Sequence, residues 1–423
     1  MNDTTFARRR PRDFDGSSSA EAAVFAATEK LLAQTSLQDL TVAQVIAEAG
    51  VSRANFYHYF ANKFDVLIAL LRRLLDESYS EAGPWTGTPG RARAQRMGSS
   101  LDNTLRMWQD HGPMIGAVIE HMHSRPTVGA AWQQVFDRFV ASVAEQIEFE
   151  RSQGRAPDGP DARTLAAMLV GAAERTFYVA FRGLDPRLGG ITEVAGPVSA
   201  VTETAIYARV TDAPPPELAS EVARLSAPQV DGTTARGLLD ALRALLDEHP
   251  LADVSVGMVL ERAKVSRASF YFYFRNIEDA FTVLFQEAAV QIVDGMAALT
   301  EIGPADGARM RELVARWLDG PDSAVIRNAV HTWPRLTGLR AAYLDAMNAM
   351  ETRLEAALEV QRARGVVPAE TPAPEYAAVL LWTIDRTVAG WYAGEAWLDD
   401  RDTVSDAVAR LLTAALFGQI SHS

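Results

Sequence analysis

The chain has 423 residues, 48% of them hydrophobic and 22% charged, with a net charge of −13 at pH 7 and no cysteine. These values predict a globular protein of two or three domains with sizeable cores. The lack of cysteine excludes disulfides, thiolate nucleophiles and cysteine-ligated metal sites in this sequence, and it suits a reducing cytoplasm.

The N-terminal segment and the hydropathy pattern bear on localisation. The first residues, MNDTTFARRRPRDFDG, are polar and basic with no apolar stretch after them, unlike a signal peptide. Apolar runs stay below the 18 residues that a membrane span needs. We therefore expect a soluble, cytoplasmic protein.

Acidic residues are unevenly spread along the chain. Residues 1–63 hold seven acidic and seven basic side chains, and residues 236–277 hold five and six, so the rest carries a net charge of −14. Charges are screened beyond about 8 Å at physiological salt, so the local balance decides whether a surface can bind DNA. A neutral or basic tip on an acidic body is compatible with DNA binding.

A short helix is predicted directly after Thr41, a residue type that caps helix N-termini. Its apolar residues follow the helical spacing i, i+3, i+4, i+7: Val42, Val45, Ile46 and Ala49. The next residue, Gly50, opens a three-residue turn because glycine reaches positive φ without steric conflict. A second short helix is predicted from Arg53 to Tyr59, and two such helices joined by a tight turn indicate a helix-turn-helix.

The second of these helices is predicted to have two different faces. Phe56 and Phe60 lie four residues apart and are expected to face inward. The outward-facing residues are then Arg53, Asn55, Tyr57 and His58. Such side chains can donate to phosphates and base edges, and Lys63 would add a cation beside the next helix N-terminus. In the alternative, the aromatic residues only fill a core. This is disfavoured because Tyr and His at outward-facing positions would be poor choices for core residues.

The same pattern occurs twice in the chain. VSRANFYHYFAN (51–62) and VSRASFYFYFRN (265–276) share nine of twelve residues at an offset of 214. LTVAQVIAEA (40–49) aligns with VSVGMVLERA (254–263) at the same offset, with Ser255 in the capping position. Because the repeat spans about half of the chain, it predicts two large domains of one kind.

The segment between the repeats is rich in Pro, Asp and Ser, which is typical of a linker. No long run alternates apolar and polar residues, so the predicted class is all-α. The predicted organisation is a basic flexible arm (1–18), a first helix-turn-helix domain (19–82), a first helical regulatory domain (83–210), a linker (211–233), a second helix-turn-helix domain (234–297) and a second helical regulatory domain (298–423).

Both helix-turn-helix segments resemble that of the TetR family of bacterial repressors. The similarity lies in TVAQVIAEAGVSRANFYHYFANK (41–63) and PLADVSVGMVLERAKVSRASFYFYF (250–274). The second segment, together with ERTFYVAF (174–181) and DRT (385–387), is most similar to the ethionamide-resistance-type branch. The motif is specific, and its occurrence twice at one spacing makes coincidence implausible.

The resemblance implies a fold, partners and contact residues. Each half would be an N-terminal three-helix DNA-binding domain followed by a C-terminal helical ligand and dimerisation domain. The partners would be a double-stranded DNA operator and a small effector, with no cofactor and no catalysis. The family's usual DNA contacts correspond to Thr41, Ser52, Arg53, Asn55, Tyr57, His58 and Lys63, and to Ser255, Ser266, Arg267, Ser269, Tyr271 and Phe272.

The second motif departs from the family pattern. Lys264 stands in place of the turn glycine and predicts a slightly strained turn. Ile277 stands at the position of Lys63, which removes a phosphate contact that Arg275 would partly replace. The second motif also lacks a basic arm like Arg8–Arg12 of the first. That N-terminal arm either enters a minor groove or is a disordered solubilising tail.

Members of this family are homodimers whose two identical helices read successive major-groove faces, whereas this chain supplies both helices. We predict an intramolecular pseudo-dimer and repression of transcription, the family default. A four-helix interface would form from the last two helices of each half, roughly 162–182, 197–209, 374–394 and 403–418. Asn55 and His58 align with Ser269 and Phe272, so the two helices carry different residues at equivalent positions. The operator should therefore be asymmetric. In the alternative, each half pairs with another chain to give a four-headed dimer.

Aromatic residues and methionines in each C-terminal part are candidates for a ligand pocket. They are Trp108, Met114, Met122, Trp132, Phe136, Phe139 and Phe177, and then Trp317, Trp333, Tyr343, Met347, Trp382 and Trp391. The ethionamide-type branch has asparagines just before its Glu-Arg-Thr, where this chain has Val170, Ala173, Leu381 and Ile384. We therefore expect an apolar ligand, such as an acyl or aromatic compound. The alternative is that these residues are ordinary bundle core.

Enzyme and metal sites are disfavoured by the motifs. The sequence has no GxGxxG after a strand, no P-loop, no HExxH and no GxSxG. His121 and His123 are two residues apart, so they face different sides of a helix and would need ligands from elsewhere. Another class of function stays open: a one-headed or DNA-inactive family member that acts as a small-molecule or protein-interaction module.

Overall fold

The computed structural model describes residues 19–79, 91–218, 225–230, 232–366 and 372–420. The predicted basic arm and part of the predicted linker lie outside these residues. Within the described ranges, seventeen α-helices account for nearly all of the regular structure, so the all-α prediction is confirmed.

The first four helices form what we call the first head. They are α1 (Ser19–Leu32), α2 (Val42–Ala49), α3 (Arg53–Tyr59) and α4 (Lys63–Tyr79). A capping box starts α2, because the Thr41 hydroxyl accepts a hydrogen bond from Gln44 N at 3.3 Å and Thr41 N donates to the Gln44 side chain at 2.8 Å. Gly50 ends α2 at a φ of +62°, so the predicted turn and the predicted second helix are both confirmed.

An equivalent set of four helices forms the second head. They are α9 (Thr233–Glu248), α10 (Val256–Ala263), α11 (Arg267–Tyr273) and α12 (Ile277–Gly295), with a 3-10 helix (Leu251–Asp253) before α10. Ser255 caps α10 by accepting a hydrogen bond from Met258 N at 3.3 Å. The two capping residues predicted from sequence thus occupy matching places in the two heads.

The remaining helices form a body after each head. The first body has α5 (Arg91–His121), α6 (Pro126–Ser152), α7 (Ala162–Phe181) and α8 (Ala195–Tyr207). The second body has a 3-10 helix (Met296–Thr300), α13 (Gly307–Leu318), α14 (Ser323–Thr332), α15 (Thr337–Ala363), α16 (Ala373–Ala393) and α17 (Arg401–Phe417). A Gly-Pro pair lies inside α5 at Pro113, whereas the pair at Pro321 separates α13 from α14.

Four helices drawn from both halves pack together. Helix α7 contacts α16, and α8 contacts α16 and α17. Beyond α8 and α17, two-residue strands β1 (Arg209–Val210) and β2 (Gly418–Gln419) pair antiparallel. Equivalent segments of the two halves therefore pair with each other, and the predicted four-helix interface is confirmed.

Packing divides the described residues into two compact units. One contains the first head and residues 106–135, and the other contains residues 91–105 and all described residues from 136 onward. The second head and the four-helix interface therefore belong to one unit. Across the described ranges, no helix combines the length and apolar character required to cross a membrane.

Candidate DNA-binding surface

The recognition helix of the first head, α3, presents a polar and aromatic face to solvent. Phe56 is fully buried and Phe60 is 5% exposed, as the four-residue spacing predicts. The Phe60 ring also lies 5.7 Å from the Phe25 ring of α1, which anchors α3 on the head. The exposed side chains include the predicted Arg53, Asn55, Tyr57 and His58, and Tyr59 is also 38% exposed. This face carries donors suited to phosphates and base edges.

Helix α11 has the same inward residues and a more apolar outer face. Phe270 and Phe274 are buried, while Tyr271 is 50% and Phe272 is 80% exposed. Arg267 is exposed and Ser269 is half-buried, with its hydroxyl 2.9 Å from that of Ser266. Exposure of a phenylalanine to water is unfavourable, so an apolar contact would stabilise this face more than it would stabilise the face of α3.

The serines before both recognition helices act as N-caps. Ser52 accepts a hydrogen bond from Asn55 N at 3.1 Å, and Ser266 accepts one from Ser269 N at 3.2 Å. Each of these bonds uses an acceptor lone pair and not the hydroxyl hydrogen, which at Ser266 can also point to the Ser269 hydroxyl 2.9 Å away. The predicted DNA contacts at these two positions are therefore compatible with their capping role.

Lys63 has an internal role that sequence reasoning missed. Its ammonium donates to the carbonyl oxygens of Gln38 at 3.0 Å and Leu40 at 2.8 Å, which ties the start of α4 to the segment before α2. Burial lowers the pKa of Lys63, and nearby Arg125 lowers it further. An ammonium has three N–H donors, so these two bonds leave one for a phosphate.

The second head replaces this lysine with residues that work differently. Ile277 begins α12 and carries no charge. Arg275 is highly exposed, and its Nη2 lies 2.9 Å from Asp279 Oδ1, so the carboxylate competes with any phosphate for this guanidinium. We expect the second head to gain less from phosphate contacts than the first head.

The turn of the second head carries the strain that the sequence predicts. Lys264 ends α10 with φ +55° and ψ +42°, the left-handed conformation that Gly50 adopts in the first head. A side chain in that conformation brings Cβ close to the following carbonyl oxygen.

Lys264→Gly should stabilise the chain by up to about 1 kcal/mol, because it relieves a strain of about 1–2 kcal/mol that the added entropy of the unfolded glycine chain offsets only in part. Gly50→Ala is the matched variant and should destabilise the first head by a similar amount. Thermal unfolding of both variants checks the pair. A lower melting temperature for Lys264→Gly would contradict the strain argument.

Each head is tied to a body helix by polar contacts within its own unit. In the first unit, His111 Nδ1 of α5 lies 2.8 Å from Glu29 Oε1 of α1. In the second unit, Leu251 N donates to Asn328 Oδ1 at 2.8 Å, and Arg327 donates to the carbonyl oxygen of Leu246 at 3.0 Å. These contacts link α1 to α5 and the end of α9 to α14, so a movement of a body helix would reach the head.

Buried ion pairs cross the interface between the halves. Arg386 of α16 donates from Nε and Nη2 to the two Glu174 oxygens of α7 at 2.9 and 3.1 Å, and from Nη1 to Glu395 at 2.9 Å. The reciprocal pair is Arg175 with Asp385, at 3.2 Å. Burial lowers the pKa of Arg386, but Glu174 and Glu395 outweigh it and raise the pKa above its ordinary value. The Glu-Arg-Thr and Asp-Arg-Thr matches in the sequence are therefore the two sides of one ionic contact.

A second polar cluster joins the loop after α7 to the second body. Trp382 Nε1 donates to Asp185 at 2.8 Å, and Arg187 Nη1 lies 3.2 Å from Glu351 Oε2 of α15. Burial and then the neighbouring Asp185 raise the pKa of Glu351 to about 9, although Arg187 opposes them. No sequence motif predicted the contacts of Asp185, Arg187 and Glu351, because these residues meet only when the two halves pack.

Protonation of Glu351 should make stability depend on pH. An unfolded glutamate has a pKa near 4.5, so the folded chain keeps a proton that the unfolded chain releases. This contribution is complete below pH 4.5 and is lost as the pH rises towards about 9, by about 2 kcal/mol between pH 7 and 9. Glu351→Gln should flatten that slope in denaturant titrations, whereas Glu355→Gln, a partly exposed neighbour of Arg187, should keep it. An unchanged slope in Glu351→Gln would contradict the assignment.

The predicted pocket residues are divided between the two compact units. Trp108, Met114 and Met122 are buried and Trp132 is half-buried in the first unit. The others lie in the second unit, where they are buried or half-buried: Phe136, Phe139, Phe177, Trp317, Trp333, Tyr343, Met347, Trp382 and Trp391.

In the second body, several of these aromatic residues pack on one another. Trp333 stacks on Tyr343 with ring centroids 5.1 Å apart, and Tyr343 stacks on Phe285 at 5.2 Å. The Trp382 ring lies 5.8 Å from the Trp333 ring. The Tyr343 hydroxyl also donates to Asp385, so the stack is continuous with the ionic contact between the halves.

The first histidine of the predicted pair contacts the backbone of its own helix. His121 is buried, and its Nδ1 is 3.0 Å from the carbonyl oxygen of Ala117. Among the described residues, no group of three or more His, Asp or Glu side chains is arranged to hold a metal ion.

Comparisons with known proteins match both heads and the first body. A family model for bacterial regulatory proteins of the tetR family matches residues 24–70 and 238–282. A model for the C-terminal domain of the transcriptional regulator EthR matches residues 97–208. The two tetR matches fall on the two predicted helix-turn-helix domains, which confirms the tandem arrangement.

Curated relatives and solved structures each match about half of the chain. The HTH-type transcriptional regulator EthR of Mycobacterium tuberculosis H37Rv is 28% identical over 192 residues, 45% of this chain and 85% of the relative. EthR of Mycolicibacterium smegmatis is 30% identical over 169 residues, 39% of this chain and 76% of the relative. A transcriptional regulator from Saccharomonospora viridis in complex with choline is 20% identical with a TM-score of 0.39, over 46% of this chain and 100% of that chain. A TetR-family regulator from Syntrophomonas wolfei is 14% identical with a TM-score of 0.36, over 44% of this chain and 93% of that chain.

Proposed function

Because the chain belongs to the TetR family of bacterial transcriptional regulators, we propose that it binds an asymmetric operator through two non-identical heads of one polypeptide. It is a DNA-binding regulator with two helix-turn-helix segments. The proposal concerns how it binds: each head occupies one major-groove face, one molecule fills one operator, and transcription is repressed until a small apolar effector binds.

The observation that carries the proposal is the contrast between His58 and Phe272. They occupy equivalent outward positions on α3 and α11, and Phe272 is 80% exposed. An imidazole donates and accepts hydrogen bonds at base edges, whereas a phenyl ring favours the methyl group of thymine. The two helices would therefore bind two half-sites of identical sequence with unequal affinity.

The first experiment selects operators from random duplexes with the purified full chain and then maps the footprint and the number of chains bound. A single asymmetric site holding one chain supports the proposal. Two identical inverted half-sites would argue against it, and a footprint of double length with two chains would indicate the four-headed dimer.

The same measurement tests the alternative of a DNA-inactive interaction module. Affinity should fall steeply with salt, because arginines and lysines displace counterions from phosphates. The absence of any salt-sensitive preference for one duplex over random competitor would favour the interaction module instead.

The contact of Phe272 with thymine can be tested by removing one methyl group. Replacing the contacted thymine with uracil should weaken binding by about 1 kcal/mol, or about fivefold, because one buried methyl group is lost. In the variant Phe272→His the same replacement should have little effect, and uracil substitutions in the half-site of the first head serve as the control. Equal sensitivity of both proteins would contradict the contact.

We place the effector in the first body. The support is the match of residues 97–208 to the C-terminal domain model of EthR. In the second half, Trp333 and Tyr343 of the second body already stack with Phe285 of α12, which favours the first body as the effector site. Neutral acyl and aromatic compounds should release the operator in a gel shift. Retention of the operator across such a series would argue against an apolar effector.

A further inference from the structure

A cleft of about 620 Å³ lies between segments of the two halves, within the unit that holds the four-helix interface. The loop 157–160 and the end of α8 contribute from the first half, and the start of α13 and one face of α17 contribute from the second half. We call it the inter-half cleft. None of the predicted pocket residues lines it, and its volume is within the usual range for small-molecule sites.

Much of the cleft wall is apolar and built from small residues. Ala205 and Ile206 of α8 line it together with alanines of α13 and α17, among them Ala308 and Ala407. Small side chains leave the space that a ligand body would fill, and this surface gains free energy when a ligand removes it from water.

The charged residues of the cleft are mainly positive. Four arginines line it against two aspartates, Asp158 and Asp406, which gives a local charge of +2 in a chain of −13. The arginines are Arg151, Arg209, Arg311 and Arg410. Such a concave cationic surface attracts small anions more strongly than its surroundings do.

Two of the arginines converge on a single backbone position. A Cβ atom at Gly159 would lie 2.8 Å from Nη2 of Arg151 and 3.6 Å from Nη1 of Arg410. The two guanidinium groups are therefore neighbours with like charge. Burial lowers the pKa of Arg151, the carboxylate of Asp158 opposes this effect, and the charge of Arg410 lowers the pKa further.

The protein's own acceptors offset the charge of these arginines only in part. Arg151 donates to the carbonyl oxygen of Pro160 at 2.8 Å, and Arg410 donates to that of Asp158 at 3.2 Å. Asp406 is shared, with one oxygen 3.4 Å from Arg410 and the other 3.9 Å from Arg311. Two carboxylates, Asp158 and Asp406, face four arginines in the cleft wall, which leaves an excess of positive charge that an anion would stabilise.

We propose that the inter-half cleft binds a small organic anion, with its carboxylate or phosphate at Arg151 and Arg410 and its apolar body along the alanine wall. The planar donors of arginine suit both anionic groups. Such a ligand touches α8 of the first half and α13 and α17 of the second half, so it joins the halves at their interface. This site is separate from the apolar effector site proposed above, and it does not depend on DNA binding.

Calorimetric titration of the full chain with octanoate, octyl phosphate and octan-1-ol tests the proposal. The three probes share one tail, so we expect one site per chain for an anion and at least tenfold weaker binding of the alcohol. The tighter of the two anions identifies the preferred head group. Failure of both anions to bind would overturn the proposal.

Three variants locate the binding site. Arg151→Gln with Arg410→Gln should weaken anion binding at least tenfold. Ala308→Phe, at an exposed position on the cleft wall, should do the same by filling space without changing charge. Arg309→Gln with Arg316→Gln removes two exposed arginines of α13 that do not line the cleft, and it should leave binding unchanged. Unchanged octanoate affinity in Ala308→Phe, with an unaltered melting temperature, would place the ligand elsewhere and overturn the proposal.

Discussion

Replacing Arg386 with methionine is expected to lower the free energy of unfolding by about 3–5 kcal/mol. The arginine is 1% exposed and holds the carboxylates of Glu174 and Glu395, which are 4% and 8% exposed. Methionine fills a similar volume but leaves both carboxylates buried without their cation. Equilibrium denaturation of the full chain measures the loss.

The pH dependence of this loss separates an electrostatic cause from poor packing. Burial raises the pKa of Glu395, and this carboxylate loses its cation in the variant, so lowering the pH should reduce the difference between the variant and the parent chain. The triple variant Glu174→Gln, Arg386→Met, Glu395→Gln should recover much of the lost stability at pH 7, because neutral side chains replace the unpaired charges.

An exposed ion pair provides the control. Arg316 and Glu312 lie 2.7 Å apart on α13, and both are largely exposed. Arg316→Met should change stability by no more than about 0.5 kcal/mol. If Arg386→Met unfolds at the same denaturant concentration as the parent chain, the buried contact does not hold the halves together.

The features predicted correctly are those that neighbouring residues determine. Helix α3 begins after Ser52 because the serine caps it, and the Gly50 turn and the inward Phe56 follow from spacing along one short segment. The repeat extended these predictions to the second head, including the strained conformation of Lys264.

The features that the sequence did not predict depend on residues far apart in the chain. Glu174 and Arg386 are 212 positions apart, and their partnership requires the packed interface. The bonds from Lys63 to the carbonyl oxygens of Gln38 and Leu40 span more than twenty residues. The inter-half cleft combines four separate segments, and no local pattern marks the convergence of Arg151 and Arg410 on Gly159.

Removing the contacts of either head should weaken operator binding at least 100-fold. When both heads belong to one chain, binding of the second is intramolecular, and linking two sites in this way commonly adds about 10²–10⁴ in affinity. The variants Arg53→Ala with Tyr57→Ala and Arg267→Ala with Tyr271→Ala each disable one recognition helix. Their affinities for the selected operator, measured by gel shift at several salt concentrations, test the prediction.

The two double variants should lose similar amounts only if both heads engage the operator. In each variant, the slope of log K against the logarithm of the salt concentration should also become shallower by about one, because one arginine–phosphate contact is lost. Arg309→Ala with Arg316→Ala removes two exposed charges outside both heads and should leave binding unchanged. A near-wild-type affinity for the Arg267→Ala, Tyr271→Ala variant, with full loss in its counterpart, would mean that the first head alone reads the DNA. The ion pair of Arg275 with Asp279 and the neutral Ile277 would then be the physical reason, since both reduce what the second head offers to phosphate.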